Sequence, residues 1–240
     1  MSGSQYIALS GLRARSDELD RIATDIANIG TAGYKGERQS GAVAERPQFE
    51  AALQTAIDTT FGGKRMDATA GSIAPTGRAL DVAIEGQGFF VVGTASGNRY
   101  TRNGHFGLDE KRRLVTSDGD LVQSSKGGPI TLGPGEVRVD TDGSVWAGAV
   151  RAGQLALVKF NDVGSLTRDR STLLSAPGQT PVAVEDPIVH GGALEQSNVT
   201  VADRLAELTT VSRSFEALQR SMSLLMNDID GKAIDQLGRR

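Results

Sequence analysis

The sequence predicts an α+β fold: paired N- and C-terminal heptad helices, coiled-coil-like, around a central all-β domain of short hairpins. Two observations predict it. Apolar residues recur at heptad spacing near both ends of the 240-residue chain. The middle instead alternates apolar and polar residues and is punctuated by Asn-Gly and Asp-Gly pairs.

Residues 1–33 read as a helix. From Ala8 the apolar positions run Ala8, Leu12, Leu19, Ile22, Ile26 and Ile29, a seam interrupted once, at Arg15. Asp17, Glu18, Asp20, Arg21 and Asp25 fall off the seam. The pattern stops near Asn28 or Ile29, and Gly30 is the expected C′ residue. Residues 34–74 mix Gly, Ala and charge and read as an extended connector, with one helix-like patch at Phe49, Leu53 and Ile57.

The β domain is expected over 75–190. D-V-A-I-E-G-Q-G-F-F-V-V (81–92) gives two short strands around Gly86 and Gly88. Residues 99–109 alternate and hold the Asn103-Gly104 turn signal. Residues 113–123 form a hairpin about Asp118-Gly119, and 137–147 another about Asp142-Gly143. Q-L-A-L-V-K-F (154–160) is a buried strand.

Residues 191–240 return to helix. Ser197, Asn198 and Thr200 are start candidates, with Asp203 three residues beyond Thr200. The seam runs Leu208, Val211, Phe215, Leu218, Met222, Leu225 and Ile229 without a break. It ends or frays at Asp230-Gly231, or extends through Ile234 and Leu237. The two ends therefore match each other and not the middle. A lone two-helix hairpin gains too little burial to offset the ordering of its backbone, so these ends are expected to order fully only in an assembly.

Composition narrows the function. A net charge of −3 gives no reason to expect a nucleic-acid or anionic-membrane partner. With no cysteine, disulfides, thiolate zinc sites and cysteine nucleophiles are excluded. No window approaches 18 consecutive apolar residues, and the N-terminus lacks the basic and apolar regions of a Sec signal. No catalytic constellation, metal set or cofactor site emerges. His105 and His190 are far apart in sequence, and Gly63-Lys64 lacks the rest of a phosphate loop. Gly86-Gln87-Gly88 lacks the third glycine of a dinucleotide fingerprint. In Asp140-Thr141-Asp142-Gly143 a calcium loop would need Arg138 as its first ligand, so a turn is the reading. Asn198-Val199-Thr200 is a formal sequon that reads as a helix start.

I-A-T-D-I-A-N-I-G-T-A-G-Y-K (22–35) closely resembles the N-terminal signature of the flagellar axial proteins, the rod, hook and hook-associated subunits. There a helix with an I-A-N-N-I/L-A-N core ends in an S/T-x-G-Y/F-K turn; Asp25 stands where the family usually has its second Asn. Four further blocks resemble the family in the same order: residues 80–92, Y-T-R-N-G-H-F (100–106), the 113–123 hairpin, and L-E-Q-S-N-V (194–199).

The resemblance implies a structural subunit of the flagellar basal-body rod and no enzyme. It implies export by the flagellar type III apparatus and helical polymerisation with itself and other rod subunits in the periplasm. The helices would form an inner tube, without membrane insertion, and transmit torque from motor to hook. Length is most like the F-type proximal rod subunits; the distal G type is the runner-up and a hook subunit is less favoured. A reading from another class is a peptidoglycan-remodelling enzyme using acids such as Asp81, Glu85, Asp109 or Glu110. The expected assembly residues are the seam positions Leu12, Leu19, Ile22, Ile26, Ile29, Leu208, Val211, Phe215, Leu218, Met222, Leu225 and Ile229. Gly30 and Gly33 would permit a sharp exit from the tube, and Tyr34 and Lys35 would dock on neighbouring subunits. Replacing Gly33 with Val is expected to impair assembly while leaving the β domain folded.

Overall fold

A computed structural model describes residues 3–39 and 64–237, with side chains for 11–38 and 64–223. The patch at Phe49, Leu53 and Ile57 lies outside the described residues, as do the side chains of Leu225 and Ile229. Gly3–Ala27 forms helix α1 and Val201–Leu237 forms helix α2. Among the described residues the remaining regular elements are short strands and one 3-10 turn, Val163–Ser165, so the class is α+β.

The chain divides into two compact units. One contains α1 through Ile26 together with α2; the other contains Ala27–Arg38 and Arg65–Thr200.

In the helical unit, Ile22 and Val211 are fully buried, at 0 % and 4 % exposure. Leu12, Leu19, Ile26, Leu208, Phe215, Leu218 and Met222 are only half-buried. Arg21 and Asp25, placed off the seam by their spacing, are buried at 5 % and 1 %. The reason is pairing. Arg21 Nη2 donates to Glu207 Oε1, and Arg204 Nε lies 3.0 Å from Asp25 Oδ2, so charges from one helix meet opposite charges from the other. A Cβ on Gly11 would lie 3.9 Å from Leu218 Cδ1. These contacts run in antiparallel order along the two helices.

In the β unit, the largest sheet comprises nine strands of the described residues. Its centre is Phe89–Thr94, which pairs with Gly97–Thr101, Leu121–Val122 and Leu157–Lys159, all antiparallel. Phe89, Phe90, Val91 and Val92 are all buried, because both faces of this strand are covered. Phe90 joins a core with Phe106, Leu114, Ile130 and Val145; Phe89 and Val91 join another with Met66, Tyr100, Phe160 and Leu174. Phe90 meets Phe106 edge-on at 5.1 Å, and Tyr100 meets Phe160 at 4.7 Å.

The Asp118-Gly119 and Asp142-Gly143 turns join paired strands, and both glycines have positive φ (86° and 78°). The Asn103-Gly104 signal is different. The hairpin here turns at Ala95-Ser96, before Gly97, while Gly104 presses against Val82, with a Cβ position only 1.7 Å from the Val82 carbonyl oxygen. That glycine answers close backbone approach instead of a turn. Val82–Glu85 and Phe89–Thr94 do not pair with each other: Val82–Glu85 pairs with Ile188–Gly191, just before Ala193–Glu195 pairs with Ile73–Pro75. This places Glu195 beside the segment that leaves α1.

Candidate functional site

The site is built where residues 28–38 enter the β unit. α1 ends at Ala27, and the chain turns through Asn28 and Thr31: Thr31 N donates to Asn28 O at 3.0 Å and Thr31 Oγ1 to Asn28 Oδ1 at 3.2 Å. Gly30, expected as the C′ residue, is not left-handed, and a Cβ there would meet open space. The left-handed residue is Gly33, φ 67°. Its N–H donates to Glu195 O at 2.7 Å, and a Cβ would fall 2.2 Å from the backbone of Arg102 and Asn103. Gly33 is therefore a packing requirement of the β unit itself, so a valine here disturbs that unit as well, contrary to the sequence-based expectation.

Tyr34 and Lys35, expected to dock on neighbours, are buried inside the unit at 1 % and 4 % exposure. Lys35 Nζ donates to Glu195 Oε1 at 2.6 Å and to Thr69 O at 2.7 Å. Glu195 Oε1 also accepts the Gly71 N–H at 3.0 Å, and its Oε2 accepts Arg102 Nη1 at 3.0 Å. Arg102 Nη1 further donates to Ile84 O at 3.1 Å, Nη2 donates to Gly86 O, and the guanidinium lies 5.4 Å from the centre of the Phe89 ring. One buried carboxylate thus holds two buried cations. Burial pushes Lys35 below the ordinary lysine range, opposed by the bond and charge of Glu195; burial likewise lowers Arg102, against the same carboxylate.

Around this centre sit two clamps. Arg168 stacks 4.3 Å over the Tyr34 ring, donates to Lys35 O at 2.5 Å and reaches Glu37 Oε1 at 3.4 Å. Asn198, read from sequence as a helix start, instead bonds backwards. Its Oδ1 accepts the Gly36 N–H at 2.8 Å, and its Nδ2 donates to Asp67 O and Thr69 O at 3.1 Å each. The segment entering from α1 and the segment leading to α2 are therefore tied together by side chains.

The helical unit holds its own charged cluster. Arg21 Nη1 lies 3.4 Å from Asp25 Oδ2, and Arg204 Nη1 donates to Glu207 Oε2. Burial raises the Glu207 carboxyl, but bonds from Arg204 and Arg21 outweigh it and hold the group below the usual range.

Sequence reasoning named Gly33, Tyr34 and Lys35 but missed Arg102, Glu195, Asn198 and Arg168. A signal existed for three of them, since Arg102 lies in Y-T-R-N-G-H-F and Glu195 and Asn198 in L-E-Q-S-N-V. The acids weighed for hydrolysis lie in separate pairs: Asp81 with His105 at 2.9 Å, Glu85 with His190 at 2.7 Å, Asp109 with Arg113 at 2.7 Å. The arrangement fastens chain segments together by buried charge.

Residues 83–147 match the family model of the flagellar hook protein FlgE/F/G D1 domain, and residues 190–233 match that of the flagellar basal body rod FlgEFG protein C-terminal region. The chain is 33% identical to the flagellar basal-body rod protein FlgF of Caulobacter vibrioides, covering 100% of this chain and 99% of that one. It is 31% identical to the flagellar basal-body rod protein FlgG of Bacillus subtilis over 90% and 92%. Similarity to the flagellar hook protein FlgE of Salmonella typhimurium, 33% identical, covers 85% of this chain but 47% of that protein.

Proposed function

We propose that this chain, which belongs to the flagellar FlgE/F/G rod and hook family, is an F-type subunit of the proximal rod. The family is structural and not enzymatic, and the chain is a rod component of the flagellar basal body. Its work is to carry torque from motor to hook through packing. It is exported by the flagellar type III system into the periplasm and polymerises helically with itself and the other rod subunits. α1 and α2 pair along their heptad seams to build the inner tube.

The observation that carries the F-type reading is similarity along the whole chain: the FlgF relative is 33% identical over 100% of this chain. The half-buried seam supports assembly. Leu19, Leu208, Phe215 and Leu218 keep apolar surface that a neighbouring helix would cover, and Val201 and Leu205 are 50 % and 47 % exposed. A distal G-type subunit is the second reading, favoured by the nearly full-length FlgG match.

Electron cryomicroscopy of basal bodies isolated from cells carrying this chain tests the assignment. Side-chain density for this sequence in the proximal rod supports the reading. Density in the distal rod turns it to the G type, and absence from the rod overturns both. Limited proteolysis of the dilute protein tests assembly-coupled ordering: helices lost before the β unit support it, and helices equally resistant count against it.

A further inference from the structure

Within the β unit, Lys35, Arg102 and Lys159 line a cavity of about 350 Å³, together with Gly86, Gly88 and Phe160. Among the described residues no carboxylate lines it. Glu195 reaches Lys35 and Arg102 without lining the cavity and supplies one negative charge for two cations. The Arg102 Nε–H is buried and has no hydrogen-bond partner, although the arginine side chain is only 7% exposed. Lys159 is exposed, at the end of the strand that pairs with Phe89–Phe90. Such a cavity has an excess of positive charge and a glycine-lined wall. It suits a single carboxylate entering from outside, because a charge-assisted bond inside a partly dry cavity is stronger than one on the surface.

We propose that this cavity receives an aspartate or glutamate side chain of a second copy of this chain in the rod. The inference rests on the rod reading above. Complementarity favours a carboxylate of another copy of this chain. The chain carries 29 acidic against 26 basic residues, and Glu110, Asp118, Glu185 and Asp186 are exposed on its surface. A subunit of this composition presents free carboxylates to its neighbours, and the cavity offers one of them a fixed seat. Lys35 and Arg102, turned inward and so unable to dock as free side chains, would then contribute to assembly from inside.

Zero-length carbodiimide coupling of isolated basal bodies tests this, because it joins an ammonium to a carboxylate only when the two touch. Cells expressing a mixture of light and heavy nitrogen-labelled chain distinguish links between copies from links within one. The expected result is an isopeptide between Lys159 and an acidic residue of another copy, reduced at least tenfold in Lys159→Gln. Lys159→Glu would place a rival carboxylate at the mouth and should stop motility while the purified protein melts at nearly the wild-type temperature. Rods that contain the chain but link Lys159 only within its own chain, or not at all, overturn the inference. So does full motility of Lys159→Glu. If the chain is absent from rods, the rod reading itself fails, a separate outcome.

Discussion

Lys35 Nζ lies 2.6 Å from Glu195 Oε1, joining two buried residues 160 positions apart. The carboxylate also serves Arg102, so its loss strands two cations. Glu195→Gln should therefore destabilise the β unit by about 3–5 kcal/mol, a fall of roughly 10 °C in melting temperature. Lys35→Met leaves Glu195 paired with Arg102 and should cost clearly less. Thermal and denaturant unfolding of both variants gives the order; equal losses would show that the carboxylate is not the shared anchor.

The two exit glycines should behave oppositely. Gly33→Ala forces a side chain into a left-handed backbone and against the Arg102 carbonyl carbon, at a cost of at least about 2 kcal/mol. Gly30→Ala meets open space and ordinary backbone and should be neutral within about 0.5 kcal/mol. Urea unfolding midpoints decide between them.

Arg168→Lys keeps the charge but loses the planar stack on Tyr34 and the fork toward Lys35 O and Glu37. A loss of about 1–2 kcal/mol is expected. Arg170→Lys, at an arginine half-exposed and paired with Asp120, serves as the control and should change little. Matched denaturation curves would remove any special role for Arg168.

Acid should weaken the helical unit through Glu207. Its carboxyl is held below the ordinary range in the folded chain, so the unfolded chain binds more protons as pH falls. The stabilisation is complete above the unfolded value, near 4.5, and is lost as pH drops through the lowered folded value. Helicity followed by circular dichroism from pH 6 to 3 should fall less steeply in Glu207→Gln. An unchanged profile would assign the acid sensitivity elsewhere.

Seam residues should separate by burial. Ile22→Ala removes a fully buried side chain and should cost the purified protein about 2–4 kcal/mol. Leu208→Ala, at a half-buried position, should cost the purified protein less than that yet still reduce motility. Comparing melting temperature with swarm diameter for the two variants checks this; a motile Leu208→Ala strain would remove that position from the assembly surface.

The sequence by itself determined the elements and their kind. Heptad spacing marked α1 and α2, Asp-Gly pairs marked two hairpins, and the motif blocks marked the family, because each is a local pattern repeated at the period of its own backbone. Tertiary structure alone decided which charges are buried. Arg21 and Asp25 look solvated by spacing yet lie beneath Glu207 and Arg204, and Lys35 looks like a docking group yet closes on Glu195. Gly104 looks like a turn and is a close approach to Val82. In each case the deciding partner stands on a distant segment. Burial of a charge is set by whether a counter-charge arrives there, which no local period records.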